Sequence, residues 1–195
     1  MENPSEVQPT PSGRRALRIF RARDARNIDS EMMPVTGMTP TVAEGLGRTV
    51  QAGVPEGTVI REVFSDTEAD SRMSILYVWL KSNFQLPIHS HDADCAYYVI
   101  SGQAHLGTEV LEAGDCFFVP AGTRYSYRVG DAGAEVLEVR TANKFSIDFT
   151  GCGPRMFERI ADVATRELEH WRKQEPPAAV KRFGSGSEWL THQTQ

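Results

Sequence analysis

Between residues 58 and 150 the chain alternates short apolar stretches with polar turns, and the apolar stretches are rich in β-branched and aromatic residues. The segments TVIREVF (58–64) and MSILYVWL (73–80), parted by the polar run SDTEAD, read as paired strands. AYYVI, EVLEAGD with CFFVP, RYSYRV, and AEVLEVRT with KFSIDF follow, separated by SG, AGD, PAG and GDAG turns. At least eight short strands at this spacing predict an all-β sandwich or barrel. After residue 153 the apolar period lengthens from two to between three and four: Phe157, Ile160, Ala161, Ala164, Leu168 and Trp171 fall on one helical face. Pro154 suits the first helical position, where the missing amide hydrogen costs nothing, and Glu175-Pro176-Pro177 ends the run. An amphipathic helix over 154–174 is therefore predicted, its apolar stripe packed on the outside of a sheet or on a second subunit.

The flanks lack such a pattern. Residues 1–16, rich in Pro, Ser and Glu, bury little apolar surface and are expected to form a disordered arm. Residues 17–20 read as a short edge strand. Residues 29–57 carry Gly, Pro and Thr without a period and read as irregular loops; no helix-turn-helix is visible there. Residues 175–195 read as a flexible tail containing GSGS. The expected organisation is a single domain over 17–174, with a core barrel at 58–150 and a closing helix at 154–174.

Composition narrows the function classes. With 40% hydrophobic and 24% charged residues, and no apolar run approaching the roughly 18 residues of a membrane span, no membrane insertion is expected. The start lacks the apolar stretch of a secretory signal, so a cytoplasmic location is expected, where three cysteines, an odd number, read as thiols. A net charge of -5 argues against a nucleic-acid partner, which needs a basic surface to displace counterions. The local basic cluster, Arg14 to Arg26, reads as a solvated segment or one engaged in interdomain pairing, with binding of an anion or partner the lesser alternative.

Among the five histidines, only His89 and His91 share a spacing with chemical meaning. Strand side chains alternate between faces, so these two imidazoles project to the same side and converge as metal ligands do. His170 beside Glu169 and His192 in the tail read as solvated.

The blocks around this pair resemble the cupin superfamily, whose motifs read G(X)5HXH(X)3-4E(X)6G and G(X)5PXG(X)2H(X)3N. The match holds, with the right spacing, at His89, His91, Gly102, Gly114, Pro120 and Gly122. The glutamate position carries Cys95, the third histidine position Tyr125, the opening glycine position Asn83 and the closing asparagine position Val129. The resemblance implies a cupin-type jelly-roll barrel with His89 and His91 in its lumen. It implies a divalent metal on His89, His91, Cys95 and Tyr125, with Fe(II) the leading candidate and Zn, Cu, Ni or Mn open. Cysteine reaches less far than glutamate, so Cys95 stands equally as a ligand and as a small buried thiol, while Asp92 and Asp94 lie near enough to substitute if the DAD segment bends. Tyr125 binds a metal only if the metal draws off its proton, and otherwise donates a hydrogen bond or a proton to a substrate. Tyr125 and Cys95 are the candidate catalytic residues. Tyr97 and Tyr127 share the lumen-facing parity, and with His105 they are the expected walls of a substrate pocket.

The function implied is a metal-dependent, oxygenase-like cupin enzyme acting on a small aromatic or carbonyl compound. The alternative, with two ligand positions replaced, is a metal-free cupin that binds or isomerises a small molecule without redox chemistry. A homodimer is expected, since cupins commonly pair through sheet edges and terminal arms.

Overall fold

A computed structural model describes residues 17–66 and 72–184. The arm at 1–16, most of the SDTEAD turn and the tail from 185 onward lie outside the described residues, and with them the disorder expected of the arm.

The elements run in the order β1 (Arg26–Asn27), β2 (Val35–Thr36), α1 (Pro40–Gln51), β3 (Thr58–Ser65), β4 (Ser74–Leu80), β5 (Ser90–His91), β6 (Cys95–Leu106), β7 (Glu109–Glu112), β8 (Cys116–Val119), β9 (Arg128–Arg140), β10 (Ile147–Asp148) and α2 (Pro154–Lys173). One sheet has the order β1-β3-β4-β9-β6-β7, with β8 also paired to β6; the other has the order β2-β10-β5. The second wall is extended by two isolated bridges, Gln85 with Arg128 and His89 with Tyr125. Between the two walls lies a continuous core that includes Leu76, Val78, Leu80, Tyr97, Val99, Val136 and Phe145.

The two segments read as paired strands form β3 and β4, which pair antiparallel with a register slip between Glu62 and Phe64. Two of the predicted turns are something else. Ser101-Gly102 does not break the chain: β6 runs through it with register slips between Val99 and Ser101 and between Gly102 and Ala104. GDAG likewise lies inside the long strand β9. Gly102 (φ 76°) and Gly133 (φ 80°) face each other at this bulge, and a Cβ on Gly102 would overlap the Gly133 carbonyl. Glycine is needed here for a conformation that bends both strands around the barrel, not for chain reversal.

Two expectations for the amino-terminal region are overturned. Residues 17–20 form no strand; Phe20 packs edge-on to Phe64 with ring centroids 4.9 Å apart, and the edge strand is β1, paired with β3. The 29–57 segment contains a full helix, α1. Thr39 caps it by accepting from the Val42 amide at 3.2 Å, and Pro40 occupies its first turn. Its buried positions are Val42, Gly45 and Thr49, so the inward stripe is right in spacing but too small and polar to register as apolar. From the basic cluster, Arg18 reaches Asp66 at 2.7 Å and Arg26 reaches Glu62 at 2.8 Å.

The closing helix α2 packs within its own chain, on α1 and on the rim of the barrel. Trp171, 1% exposed, donates from Nε1 to the Ser82 carbonyl at 2.8 Å, and Lys81 Nζ donates to the Trp171 carbonyl at 2.7 Å. Phe157 and Ile160 join Val42 and Phe149 in a second apolar cluster between the helices and the sheet. Of the tail expected to be flexible, the described residues 175–184 return across the outer face of β4, where the Phe183 ring lies 5.2 Å from that of Tyr77. That cover explains why β4 is buried along most of its length. No helix among the described residues is long and apolar enough to cross a membrane.

The helix contact yields a paired prediction. A Cβ on Gly45 would overlap the buried Phe157 ring, so Gly45→Ala should lose about 1–3 kcal/mol by overpacking despite alanine's better helix propensity. Gly47, in the same helix with nothing within 4 Å, should gain up to about 1 kcal/mol on the same change. Urea denaturation of the two variants checks the opposite signs.

Candidate functional site

His89 and Tyr125 lie opposite each other, exchanging backbone bonds of 3.1 and 2.9 Å, and this sets their rings side by side at 4.4 Å between centroids. His91, on β5, pairs with Ile147 of β10. The two imidazoles are 3% and 7% exposed and meet edge to face, 5.0 Å between centroids. Each spends Nδ1 on a backbone carbonyl: His89 on Pro87 at 2.8 Å and His91 on Ser146 at 2.7 Å. A carbonyl only accepts, so Nδ1 carries the hydrogen in both rings and each Nε2 keeps its lone pair.

The opposite wall comes from β6 and β9. Tyr97 is fully buried, stacks on Phe117 at 4.5 Å and shares a hydrogen bond between its hydroxyl and that of Tyr125. Cys95, 1% exposed, stands one inward position before Tyr97 and directly across from Arg140. Arg140, itself 1% exposed, donates from Nη2 to Glu138 at 2.6 Å and to the Tyr97 hydroxyl at 3.2 Å, and its guanidinium lies 4.1 Å above the Phe145 ring. Its Nε and Nη1 have no hydrogen-bond partner among the described residues, and neither does the Tyr127 hydroxyl. Glu138 and Arg140 were not anticipated as site residues. The signal was present: along β9 they fall in phase with inward Ala134 and Val136, and charges at the apolar parity of a strand mark a polar interior.

Burial governs the protonation states. It pulls His89 down to about 4, against the raising pull of the Pro87 carbonyl and with help from Arg140. Burial, then Arg140 and His89, bring His91 to about 2. Cys95 is pushed up to about 12 by burial and then by Glu138, and the Tyr97, Tyr125 and Tyr127 phenols are raised for the same two reasons. For Arg140 burial works against the charge, but Glu138 outweighs it and holds the guanidinium protonated. At neutral pH the rings, thiol and phenols are therefore uncharged, and the interior ions are Glu138 and Arg140.

The expected pocket residues divide between two places. Tyr97, Tyr125 and Tyr127 share the lumen with the histidines, the Tyr97 ring lying 5.6 Å from that of Tyr125 and 6.4 Å from that of Tyr127. His105 does not: it lies in the open cleft between the barrel wall and α2, with Arg159 and Arg166 of that helix, because the bulge at Gly102 shifts the strand's phase. His170 is exposed on α2, and His192 lies outside the described residues.

The motif positions fall where a two-walled barrel needs them. The histidine pair sits on the short second sheet opposite Tyr125, Gly114 (φ 99°) and Gly122 (φ 75°) turn the chain on either side of β8, and Gly102 bends β6. The fold is a cupin jelly roll. Its sequence matches no family model and no curated protein. Among solved structures, the chain is similar to an RmlC-like cupin from Shewanella frigidimarina, at 21% identity over 44% of this chain and 76% of the other, with a TM-score of 0.38. It is also similar to the polyketide cyclase RemF from Streptomyces resistomycificus (18% identity, 57% and 84% coverage, TM-score 0.46) and to KdgF from a Halomonas species (18%, 43% and 77%, TM-score 0.39). Such identities concern the fold alone.

A divalent metal, implied by the cupin resemblance, meets an incomplete donor set. Among the described residues no three of His, Cys, Asp and Glu converge on one point, so the four-ligand set that includes Cys95 is not assembled. Cys95 is held as a thiol, and Glu138 is committed to Arg140. The two aspartates that were to substitute are engaged elsewhere: Asp92 accepts from the Ser146 amide at 2.7 Å and Asp94 from the Ala121 amide at 2.8 Å. The charge of Arg140, which lowers both imidazoles, opposes a cation in the same space. The residues present therefore do not fit a protein-held metal.

Two neutral buried histidines make stability depend on pH. In the unfolded chain each titrates near 6.5; in the fold His89 titrates at about 4 and His91 at about 2. Below pH 6.5 the unfolded state binds more protons, so stability is complete above that pH and falls as pH drops toward 4. Each histidine contributes a slope of up to about 1.4 kcal/mol per pH unit. Denaturation midpoints measured between pH 7 and pH 4 should fall steeply, and His91→Asn should make the decline shallower.

Proposed function

We propose that the barrel lumen is a small-molecule site that anchors an anionic or carbonyl oxygen on Arg140 and exchanges a proton with the ligand through Tyr125, without a protein-held metal. The observation that carries this reading is the buried guanidinium with Nε and Nη1 unpartnered among the described residues, beside two uncharged imidazoles. A buried cation with spare donors favours a carboxylate or an enolate, whose charge it neutralises in a low-dielectric setting. Tyr125 and Phe117 are the half-buried members of the aromatic set, so a ligand enters beside them. The Tyr125 hydroxyl, already hydrogen-bonded to Tyr97 and through it to Arg140, is positioned to give its proton to the α-carbon of a bound enolate, leaving a phenolate that takes a proton back from the α-carbon in the reverse step. His89, adjacent and with a free Nε2, accepts a hydrogen bond from the ligand and orients it. The aromatic walls suit a flat, partly apolar compound. The reaction class is isomerisation or another acid–base conversion of a small keto acid.

The test uses phenylpyruvate and protein stripped of metals by chelation. Wild type should bind it and catalyse exchange of the hydrogens beside its carbonyl with deuterium, read by NMR. Tyr125→Phe should bind with little change and lose roughly 100-fold or more of the exchange rate. Exchange that appears only when a divalent metal is restored would reject this reading in favour of the metal-dependent enzyme.

We further propose that the expected homodimer forms through the outer face of β6 and β8, where Phe118, Tyr98 and Ile100 are 60%, 45% and 37% exposed on one surface. Phe118→Lys should convert the dimer to a monomer in analytical ultracentrifugation.

A further inference from the structure

We propose that the cleft between the barrel wall and α2 is a second binding site, for a small organic anion, chemically distinct from the lumen and independent of the reading given above. The cleft encloses about 700 Å³, a volume suited to a small ligand. Its α2 side is built by helical spacing: Arg159, Val163 and Arg166 lie three and four residues apart and so share the face turned to the barrel. Strand alternation builds the other side. Where Tyr125 and Tyr127 turn inward, Ser126 and Arg128 turn outward into the cleft, so one layer of backbone separates the two sites.

Charge makes this surface unusual for the molecule. Three guanidinium groups, those of Arg128, Arg159 and Arg166, face one carboxylate, Asp162, on a chain whose net charge is -5. None of the three forms an ion pair with another described residue; Arg159 has a single contact, from Nη2 to the Met156 sulfur at 3.0 Å. Unpaired arginines converging on a concavity provide planar forks for a phosphate or carboxylate. His105 lines the same cleft, and its buried Nε2 has no hydrogen-bond partner among the described residues. A buried ring nitrogen left without a partner is a cost that a ligand group relieves. Ile88 and Val163 supply apolar wall between these polar ends, which favours an anion carrying a carbon skeleton over a bare inorganic ion.

Isothermal titration at low salt tests the site, with phenyl phosphate, benzoate and inorganic phosphate as probes. Phenyl phosphate or benzoate should bind one to one with an affinity in the millimolar range or tighter, and inorganic phosphate should bind more weakly than phenyl phosphate. Whichever of the two organic probes is tighter assigns the anionic group. Arg128→Ala and Arg166→Ala, both at exposed positions and expected to leave the melting temperature unchanged, should each weaken binding about tenfold through loss of a charge-assisted hydrogen bond. Absence of saturable binding, equal affinity for inorganic phosphate and phenyl phosphate, or an unchanged affinity in the Arg128→Ala/Arg166→Ala double variant would overturn the proposal.

Discussion

The ion pair of Glu138 and Arg140 sets the character of the barrel interior. Removing two charges from water is expensive, and a pair of this kind persists only when its geometry recovers most of the cost. Here one 2.6 Å contact neutralises the carboxylate, and the guanidinium gains further contacts from the Tyr97 hydroxyl and the Phe145 face. The arrangement leaves a surplus of donors on the cation. In the function proposed above, that surplus, with the burial of His89 and His91, suits the lumen to electron-rich oxygen rather than to a second cation.

Polar interiors of this type need a rigid container, and the container is made by bending long strands, not by joining short ones. β6 and β9 share the most extensive pairing in the protein and carry Cys95, Tyr97, Glu138 and Arg140 in alternation. The glycine pair at 102 and 133 lets both strands turn around the barrel without interrupting the ladder. The same irregularity decides which face the later residues of β6 occupy, and so removes His105 from the lumen. The helices close the rim at Ser82 and Phe84, where Trp171 bridges to the backbone, and the tail covers β4. The cleft under α2 opens outward.

The histidine pair illustrates why residue types at a motif position do not define the chemistry of a site. Both rings are oriented by carbonyl contacts in the way that metal-ligating imidazoles are. What surrounds them differs: a thiol buried until it cannot ionise near neutral pH, a phenol hydrogen-bonded to another phenol, and an arginine. The same two nitrogens that would serve a cation in a carboxylate-rich cavity are, in the function proposed above, acceptors for a ligand's hydrogen bonds.

Local pattern determined much of this protein. Alternation gave the strands, the three-to-four period and Pro154 gave α2, and the histidine, glycine and proline spacing pointed to a cupin jelly roll with His89, His91, Tyr97, Tyr125 and Tyr127 turned toward its lumen. These are properties of neighbours in the chain, fixed by the geometry of strand and helix. Tertiary structure decided the rest. Helix α1 forms from a segment of weak propensity because Phe157 of α2 fits over Gly45, a contact between residues more than a hundred positions apart. The commitment of Glu138 to Arg140, the engagement of Asp92 and Asp94 with backbone amides, and the protonation of every lumen group depend on burial and on partners brought together by the sheet. A one-dimensional pattern states which side a residue faces, but the free energy of a buried charge is set by what it meets there.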